Sequence, residues 1–265
     1  PPFRAWSQPA HTLAGWLLAA LCLVPAATAE PVTFQDFDQP PHRYFERAPR
    51  DAFSKLKDDL EKGRLNLDMS SERAFLTSLL QVLKIPVASQ MLVFSTTSLQ
   101  LSFINPSNPR ALYFNDDIYL GYIPGGRIEI VSTDPELGGI YYIFDIPRPG
   151  GSIRVERSNR CMNCHAGEDT GHVPGIVIKS VAPAMTGGSL DTFRAGQTGH
   201  AVPLEDRFGG WYVTGYHGEV SHRGNAFGLE KGGVTHFEPR DARPDDLARA
   251  FDTDRKSTRL NSSHL

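Results

Sequence analysis

The sequence Cys161-Met162-Asn163-Cys164-His165 constrains this chain more than any other feature. The chain of 265 residues has three cysteines, and this motif contains two of them. C-x-x-C-H is the pattern at which haem c is attached covalently. Two intervening residues bring the thiols to the separation of the haem vinyl groups, and the adjacent imidazole supplies the proximal iron ligand. The motif therefore predicts one haem c, bound through Cys161 and Cys164 and ligated by His165.

Three other interpretations of the motif stay open from the sequence alone. A redox pair of the thioredoxin type would use Cys161 and Cys164, would not need His165, and requires a βαβ setting. A zinc site could add His172, although the adjacent Cys164 and His165 chelate awkwardly and no second C-x-x-C exists. The third is a structural disulfide between the two thiols.

The N-terminal region predicts export. Residues 13–24 form an apolar run that has the length of a signal-peptide core and is too short to span a bilayer as a helix. The triplet Ala27-Thr28-Ala29 matches the small-x-small cleavage pattern, so residues 1–29 are expected to be a signal peptide cleaved after Ala29. Membrane association is expected only if this signal stays uncleaved. We therefore expect a periplasmic or otherwise exported protein.

The composition and the ends of the chain indicate which partners and which domain boundaries to expect. The formal net charge is −3, so there is no basic excess that would favour nucleic acid as a partner. Residues 255–265 resemble a translated sequencing adaptor, and we expect no structure there. The predicted organisation is an extended leader and helices over 30–89, followed by a haem c-binding α+β domain over 90–254.

The hydrophobic pattern changes from helical to β after Pro86. Apolar stripes predict helices over 51–62, ending near Gly63, and over 70–84, capped by Ser70. A Gly125-Gly126 hairpin turn lies among the strands that follow. The predicted strands are 91–94, 101–104, 111–114, 118–123, 127–131, 140–146, 153–155, 175–181 and 211–216, with a last short helix over 245–251.

This pattern predicts an α+β fold in which N-terminal helices pack on a largely antiparallel sheet that carries one covalently attached haem. It differs from the small all-helical cytochrome c fold, which has few strands and a C-x-x-C-H motif near its N-terminus. In this chain the motif lies deep in a β-rich region.

A second axial ligand would have to come from elsewhere in the chain. The candidates are His217, His200 and His222. His217 ranks first, because the Gly218 that follows it would leave room for a haem face. Met185, in a loop after a predicted strand, is the alternative ligand.

Several long segments between Gln90 and Asn225 resemble a family of bacterial proteins described only as cytochrome c domain-containing. The segments are MLVFSTTSLQ, NPRALYFNDDIYLGYIPGG, RCMNCHAGEDTGHVPGIVIKSV, PLEDRFGGWYVTGYHG and HRGN. The resemblance implies a periplasmic or surface-associated haem protein and no particular reaction.

Two functions are compatible with such a protein. The first is single-electron transfer to and from other redox proteins of the periplasm. The second is a haem enzyme or small-ligand sensor with an open distal site, in which His200 or His217 would act as acid or base toward peroxide or a small gas. The sequence leaves open whether the protein is an enzyme.

Overall fold

A seven-stranded antiparallel sheet is the centre of the part of the chain that the structure, a computed structural model, describes: residues 36–192, 201–213 and 218–239. The helices are α1 (Ser54–Glu61), α2 (Glu72–Val82) and α3 (Met162–His165). The strands are β1 (Met91–Val93), β2 (Arg110–Phe114), β3 (Ile118–Tyr122), β4 (Arg127–Asp134), β5 (Gly138–Asp145), β6 (Glu156–Arg157), β7 (Val181–Pro183), β8 (Ser189–Thr192), β9 (Trp211–Tyr212), β10 (Ala226–Lys231) and β11 (Val234–Pro239).

The strand order of the large sheet is β6-β5-β4-β3-β2-β1-β9. Strands β1 to β6 follow one another as a meander. Short turns join β2 to β5, such as the turn in which Gly126 N–H donates to the Ile123 carbonyl at 2.9 Å, whereas longer connections lead from β1 to β2 and from β5 to β6. Gly125 occupies this turn with a φ of +77°, as the predicted Gly125-Gly126 hairpin requires. Strand β9 pairs with β1 at the far edge, and β7–β8 and β10–β11 form two separate hairpins.

One face of the sheet packs against the N-terminal helices. Ile128 and Ile130 of β4 pair with Phe144 and Tyr142 of β5, and all four side chains are buried. The Phe53 ring, directly before α1, lies 4.9 Å from the Tyr142 ring. The apolar stripe of α2 is buried in the same core: Phe75, Leu76, Leu79 and Leu80. The predicted α+β class, with helices packed on a largely antiparallel sheet, is confirmed.

Both N-terminal helices are shorter than predicted. Helix α1 begins at Ser54 and α2 at Glu72, and Ser71 rather than Ser70 caps α2, because the Ser71 hydroxyl accepts the Ala74 N–H at 3.1 Å. The leader before α1 is not extended where the structure describes it. It forms turns that bury Phe37 and Tyr44 against the same core.

Three predicted strands are wrong. Residues 101–104 form a 3₁₀ turn over Leu101–Phe103, whose apolar side chains are exposed. Residues 153–155 precede β6, and within 175–181 only Val181 enters a strand. Apolar runs form strands only where a neighbouring strand completes their hydrogen bonds, and these three segments lack such a neighbour in the part of the chain described. The strand predicted over 211–216 ends at Tyr212 within the described residues, and the helix predicted over 245–251 lies outside them.

The second face of the sheet carries the C-x-x-C-H motif. Tyr141 of β5 pairs with Val131 and therefore points away from the α1–α2 face, as does Glu129. The irregular segment from His172 to Ser180 crosses this second face. Its Gly175 carbonyl accepts the Tyr141 hydroxyl, and its Lys179 carbonyl accepts the Trp211 indole N–H at 3.0 Å. No helix within the described ranges is long and apolar enough to cross a membrane.

Candidate functional site

A single helical turn carries the motif. Cys161 directly precedes α3, and its carbonyl accepts the N–H groups of Cys164 at 3.2 Å and of His165 at 3.0 Å. Positions i, i+3 and i+4 lie on one side of a helix, so the two thiols and the imidazole share a face. The Met162 and Ala166 side chains are fully buried in the main core and attach this turn to the sheet.

The two thiols differ in their surroundings. Cys164 is exposed, whereas Cys161 is half-buried against the main core, and the thiols are not joined to each other. Burial raises the pKa of the Cys161 thiol, although its hydrogen bond with Ser158 partly opposes this. Cys161 is therefore held as the neutral thiol.

The His165 imidazole has a fixed orientation. Its Nδ1 lies 3.0 Å from the Gly175 carbonyl oxygen. A carbonyl can only accept, so Nδ1 carries the proton and Nε2 is the basic nitrogen. Burial lowers the pKa of His165 below its ordinary value, and the positive charge of Arg110 acts in the same direction. The ring is therefore neutral, which is the form in which histidine binds a metal.

Tyr141 holds the other side of the same imidazole. The two ring centroids are 4.5 Å apart with an interplanar angle of 36°. The Tyr141 hydroxyl donates to the Gly175 carbonyl, the same oxygen that accepts His165 Nδ1–H. The ring and the hydroxyl of one tyrosine thus contact both partners of the His165 hydrogen bond.

Backbone hydrogen bonds hold Gly175 in place. Its N–H donates to the His165 carbonyl at 2.8 Å, and the preceding Pro174 carbonyl accepts the Gly139 N–H at 3.1 Å. Gly138 permits this approach, since it has a φ of +78° and a side chain there would collide with the Pro174 oxygen. The Gly139 carbonyl in turn accepts the Tyr44 hydroxyl at 2.7 Å.

A partly buried ion pair lies on the same sheet face. Arg110 Nη1 is 3.0 Å from Glu129 Oε2, and the Glu129 carboxylate also accepts from Ser98 at 2.6 Å and from Gln100 at 2.9 Å. Burial alone would raise the pKa of Glu129, but Arg110 and these hydrogen bonds outweigh it and lower the pKa below its ordinary value. Glu129 is therefore ionised and balances the charge of Arg110 near His165.

Two exposed aliphatic side chains lie next to Gly175 in the chain. Val173 is 56% exposed and Ile176 is 43% exposed, and they lie two residues before and one residue after Gly175. This pair therefore gives the segment that carries the Gly175 carbonyl an exposed apolar surface.

The candidates for a second ligand fall into two groups. His200 and His217 lie outside the described residues. His222 lies beside the Phe208 ring, at a centroid distance of 6.0 Å, and its Nδ1 accepts the Gly224 N–H at 3.0 Å. Phe208 belongs to a cluster with Trp211 of β9, and four strands separate β9 from β5. Met185 is 49% exposed in the turn between β7 and β8.

The structure also bears on the alternatives to haem attachment. All four residues of the possible zinc site, Cys161, Cys164, His165 and His172, are described, yet no group of three or more ligands forms among the residues that the structure covers. The thioredoxin alternative requires a βαβ unit, whereas the described strands around α3 are antiparallel.

Sequence reasoning missed three residues of the site: Tyr141, Gly175 and Arg110. Tyr141 is 34 positions from Gly175, and both lie in segments that were interpreted only as strands. The aromatic content of β5 gave no sign that one of its rings would contact the motif. A long-range contact of this kind depends on which segment crosses the sheet, and no local pattern encodes that.

Fold and site together define an α+β protein in which a C-x-x-C-H turn is fixed on one face of an antiparallel meander. Comparison of the chain with protein-family models, with curated proteins and with solved structures gave no match.

Proposed function

We propose that this chain is an exported c-type cytochrome that holds one haem c through Cys161, Cys164 and His165 and transfers single electrons. The observation that carries the proposal is the hydrogen bond from His165 Nδ1–H to the Gly175 carbonyl. This bond fixes the tautomer in which Nε2 is the basic nitrogen, on the same side of the turn as both thiols.

The two thiols and the imidazole of the motif fit the requirements for attaching haem c. Covalent attachment of haem c needs two uncommitted thiols three residues apart and a neutral imidazole beside the second thiol. The chain supplies two unpaired thiols, and burial keeps the imidazole neutral. A metal-ligating histidine usually donates its other ring N–H to a carboxylate or backbone carbonyl, as His165 does.

Each part of the site then has a role. Cys161 and Cys164 would form the two thioethers, and His165 Nε2 would be the proximal ligand. Haem c, when bound, supplies a one-electron redox centre. Val173 and Ile176 would cover part of the macrocycle and keep water away, while Tyr141 and Gly175 orient the imidazole.

Export is part of the proposal, because haem c is attached outside the cytoplasmic membrane. We place the protein in the periplasm, with other periplasmic redox proteins as its electron partners. The predicted signal over 1–29 and the resemblance of the segments between Gln90 and Asn225 to exported cytochrome c domain-containing proteins support this location.

The test is to express the chain with a haem c maturation system and to purify it from the periplasm. We expect a Soret band that stays with the denatured polypeptide, because thioethers survive unfolding. A Cys161→Ala/Cys164→Ala variant should lose this covalent haem. Absence of a Soret band from the unaltered protein would refute the proposal.

The proximal assignment is tested by His165→Ala, with His172→Ala as the matched control on the adjoining loop. We expect His165→Ala to lose the native absorption spectrum and His172→Ala to keep it. A native spectrum in His165→Ala would contradict the ligand assignment.

Carbon monoxide added to the reduced protein separates the two functions. An electron carrier with two axial ligands should not respond, whereas an open distal site should bind carbon monoxide.

A further inference from the structure

The Gly175 carbonyl accepts two hydrogen bonds that compete for it. One comes from His165 Nδ1–H at 3.0 Å, and the other comes from the Tyr141 hydroxyl. A backbone carbonyl has two lone pairs, so it can accept both, but the charge of one oxygen is then shared between two donors. Each bond is weaker than it would be alone.

The strength of the Nδ1–H bond matters for what His165 does at Nε2. A strong acceptor at Nδ1–H pushes electron density into the ring and makes Nε2 a more basic ligand. A more basic ligand favours the oxidised state of a bound iron and lowers its reduction potential. A second donor on the Gly175 carbonyl weakens the Nδ1–H bond and therefore raises the reduction potential.

We propose that Tyr141 is a positioning residue that raises the reduction potential of the haem by sharing the Gly175 carbonyl with His165. The inference rests on the proposed haem c function. Tyr141 touches the imidazole and its hydrogen-bond acceptor, so it acts through His165.

The surroundings make this arrangement rigid. Tyr141 is buried, with 2% of its surface exposed, and it lies in β5 where the Gly139 N–H holds Pro174 at 3.1 Å. The Gly175 N–H is bound to the His165 carbonyl at 2.8 Å, so Gly175 cannot turn its carbonyl away without breaking that contact. The two donors therefore meet one acceptor whose position the backbone fixes.

The experiment is a redox titration of the haem-loaded protein and of its Tyr141→Phe variant at one pH and ionic strength. Phenylalanine keeps the ring that contacts His165 and removes only the hydroxyl. We expect the midpoint potential of Tyr141→Phe to shift below that of the unaltered protein. An unchanged or raised potential would overturn the proposal.

Tyr142→Phe is the matched control. It removes a buried hydroxyl from the next residue of the same strand, but this hydroxyl faces the helices and donates to Asp51 at 2.7 Å. We expect the control to lower stability and leave the potential unchanged. An equal drop in potential in both variants would overturn the proposal, because it would show a general effect of losing a buried tyrosine hydroxyl.

A second measurement, proton NMR, tests the shared acceptor first in the unaltered protein. In the reduced protein, proton NMR should show a cross-peak between the Tyr141 hydroxyl proton and the His165 Nδ1 proton, because both point at one oxygen. Its absence would refute the shared acceptor. In Tyr141→Phe the Nδ1 proton should move downfield as its hydrogen bond strengthens. A protein without a Soret band fails the proposed function instead, so the two failures are distinguishable.

Discussion

At the scale of single residues, Gly138 controls whether Pro174 and Gly175 can lie against β5. We expect Gly138→Ala to destabilise the fold more than Gly150→Ala. The two glycines have nearly equal φ values of +78° and +77°, so both substitutions carry the cost of a left-handed backbone, about 1–2 kcal/mol. Only at Gly138 does the added methyl group meet a backbone oxygen, that of Pro174.

Denaturant unfolding of the two variants is the measurement. We expect Gly138→Ala to lose at least about 1 kcal/mol more than Gly150→Ala, the lower end of the cost of overpacking. Space around the Cβ position of Gly150 is open, which makes it the control for backbone strain alone. Equal losses in the two variants would show that Pro174 is not held against β5.

The residues of the site are of two kinds: some lie close together in sequence, and others meet only through long-range contacts. Cys161, Cys164 and His165 lie within five positions, so the sequence alone identifies them as candidates for haem attachment. Tyr141 and Gly175 could not be predicted, since their contact with the motif depends on the path by which the segment after α3 crosses the sheet. His222 was predicted as a ligand, but the structure places it beside Phe208.

At the scale of elements, the N-terminal cap of α2 is Ser71 in the structure, whereas the sequence predicts Ser70. Ser70 and Ser71 are adjacent hydroxyl residues, and either could cap the helix by sequence alone. We expect Ser71→Ala to cost about 1 kcal/mol of unfolding free energy, because it removes the acceptor of the Ala74 N–H. Ser70 lies outside the helix, and Ser70→Ala should change stability by less than about 0.5 kcal/mol.

Thermal or denaturant unfolding of these two variants decides the cap position. A larger loss in Ser70→Ala than in Ser71→Ala would restore the sequence-based assignment and contradict the structure. The comparison is well matched because both changes remove one hydroxyl next to the same helix and leave the buried stripe of α2 unaltered.

Strand prediction succeeded where alternation and pairing agreed. The sequence Arg127-Ile128-Glu129-Ile130 alternates between polar and apolar, and β4 buries Ile128 and Ile130 as that period requires. The apolar runs 101–104 and 175–180 have no neighbouring strand among the residues that the structure describes. Leu101–Phe103 form an exposed 3₁₀ turn, and residues 175–180 are part of the irregular segment that crosses the second face of the sheet. Pairing is a property of the whole sheet, so a window of a few residues cannot reveal it.

At the scale of the whole molecule, α3 shares one core with the two N-terminal helices and the sheet. Met162 has no exposed surface and packs in the same cluster as Phe75 of α2 and Phe144 of β5. Since the described residues support the C-x-x-C-H turn through this shared cluster, we expect the site and the sheet to unfold together. Far-ultraviolet circular dichroism, which reports the sheet, and haem absorbance, which reports the site, should then give coincident unfolding midpoints in the haem-loaded protein.

Met162→Ala measures how much the shared core contributes to the stability of the site and of the sheet. We expect it to cost about 2–4 kcal/mol, as other deletions of fully buried large side chains do, and to lower the midpoint seen by both probes equally. Asn163→Ala is the matched control on the same turn, because Asn163 is exposed and its replacement should leave both midpoints unchanged. If Met162→Ala shifted the haem signal and left the dichroism midpoint in place, α3 would be a separately stable unit. The shared core would then contribute nothing to holding the thiols and the imidazole in position.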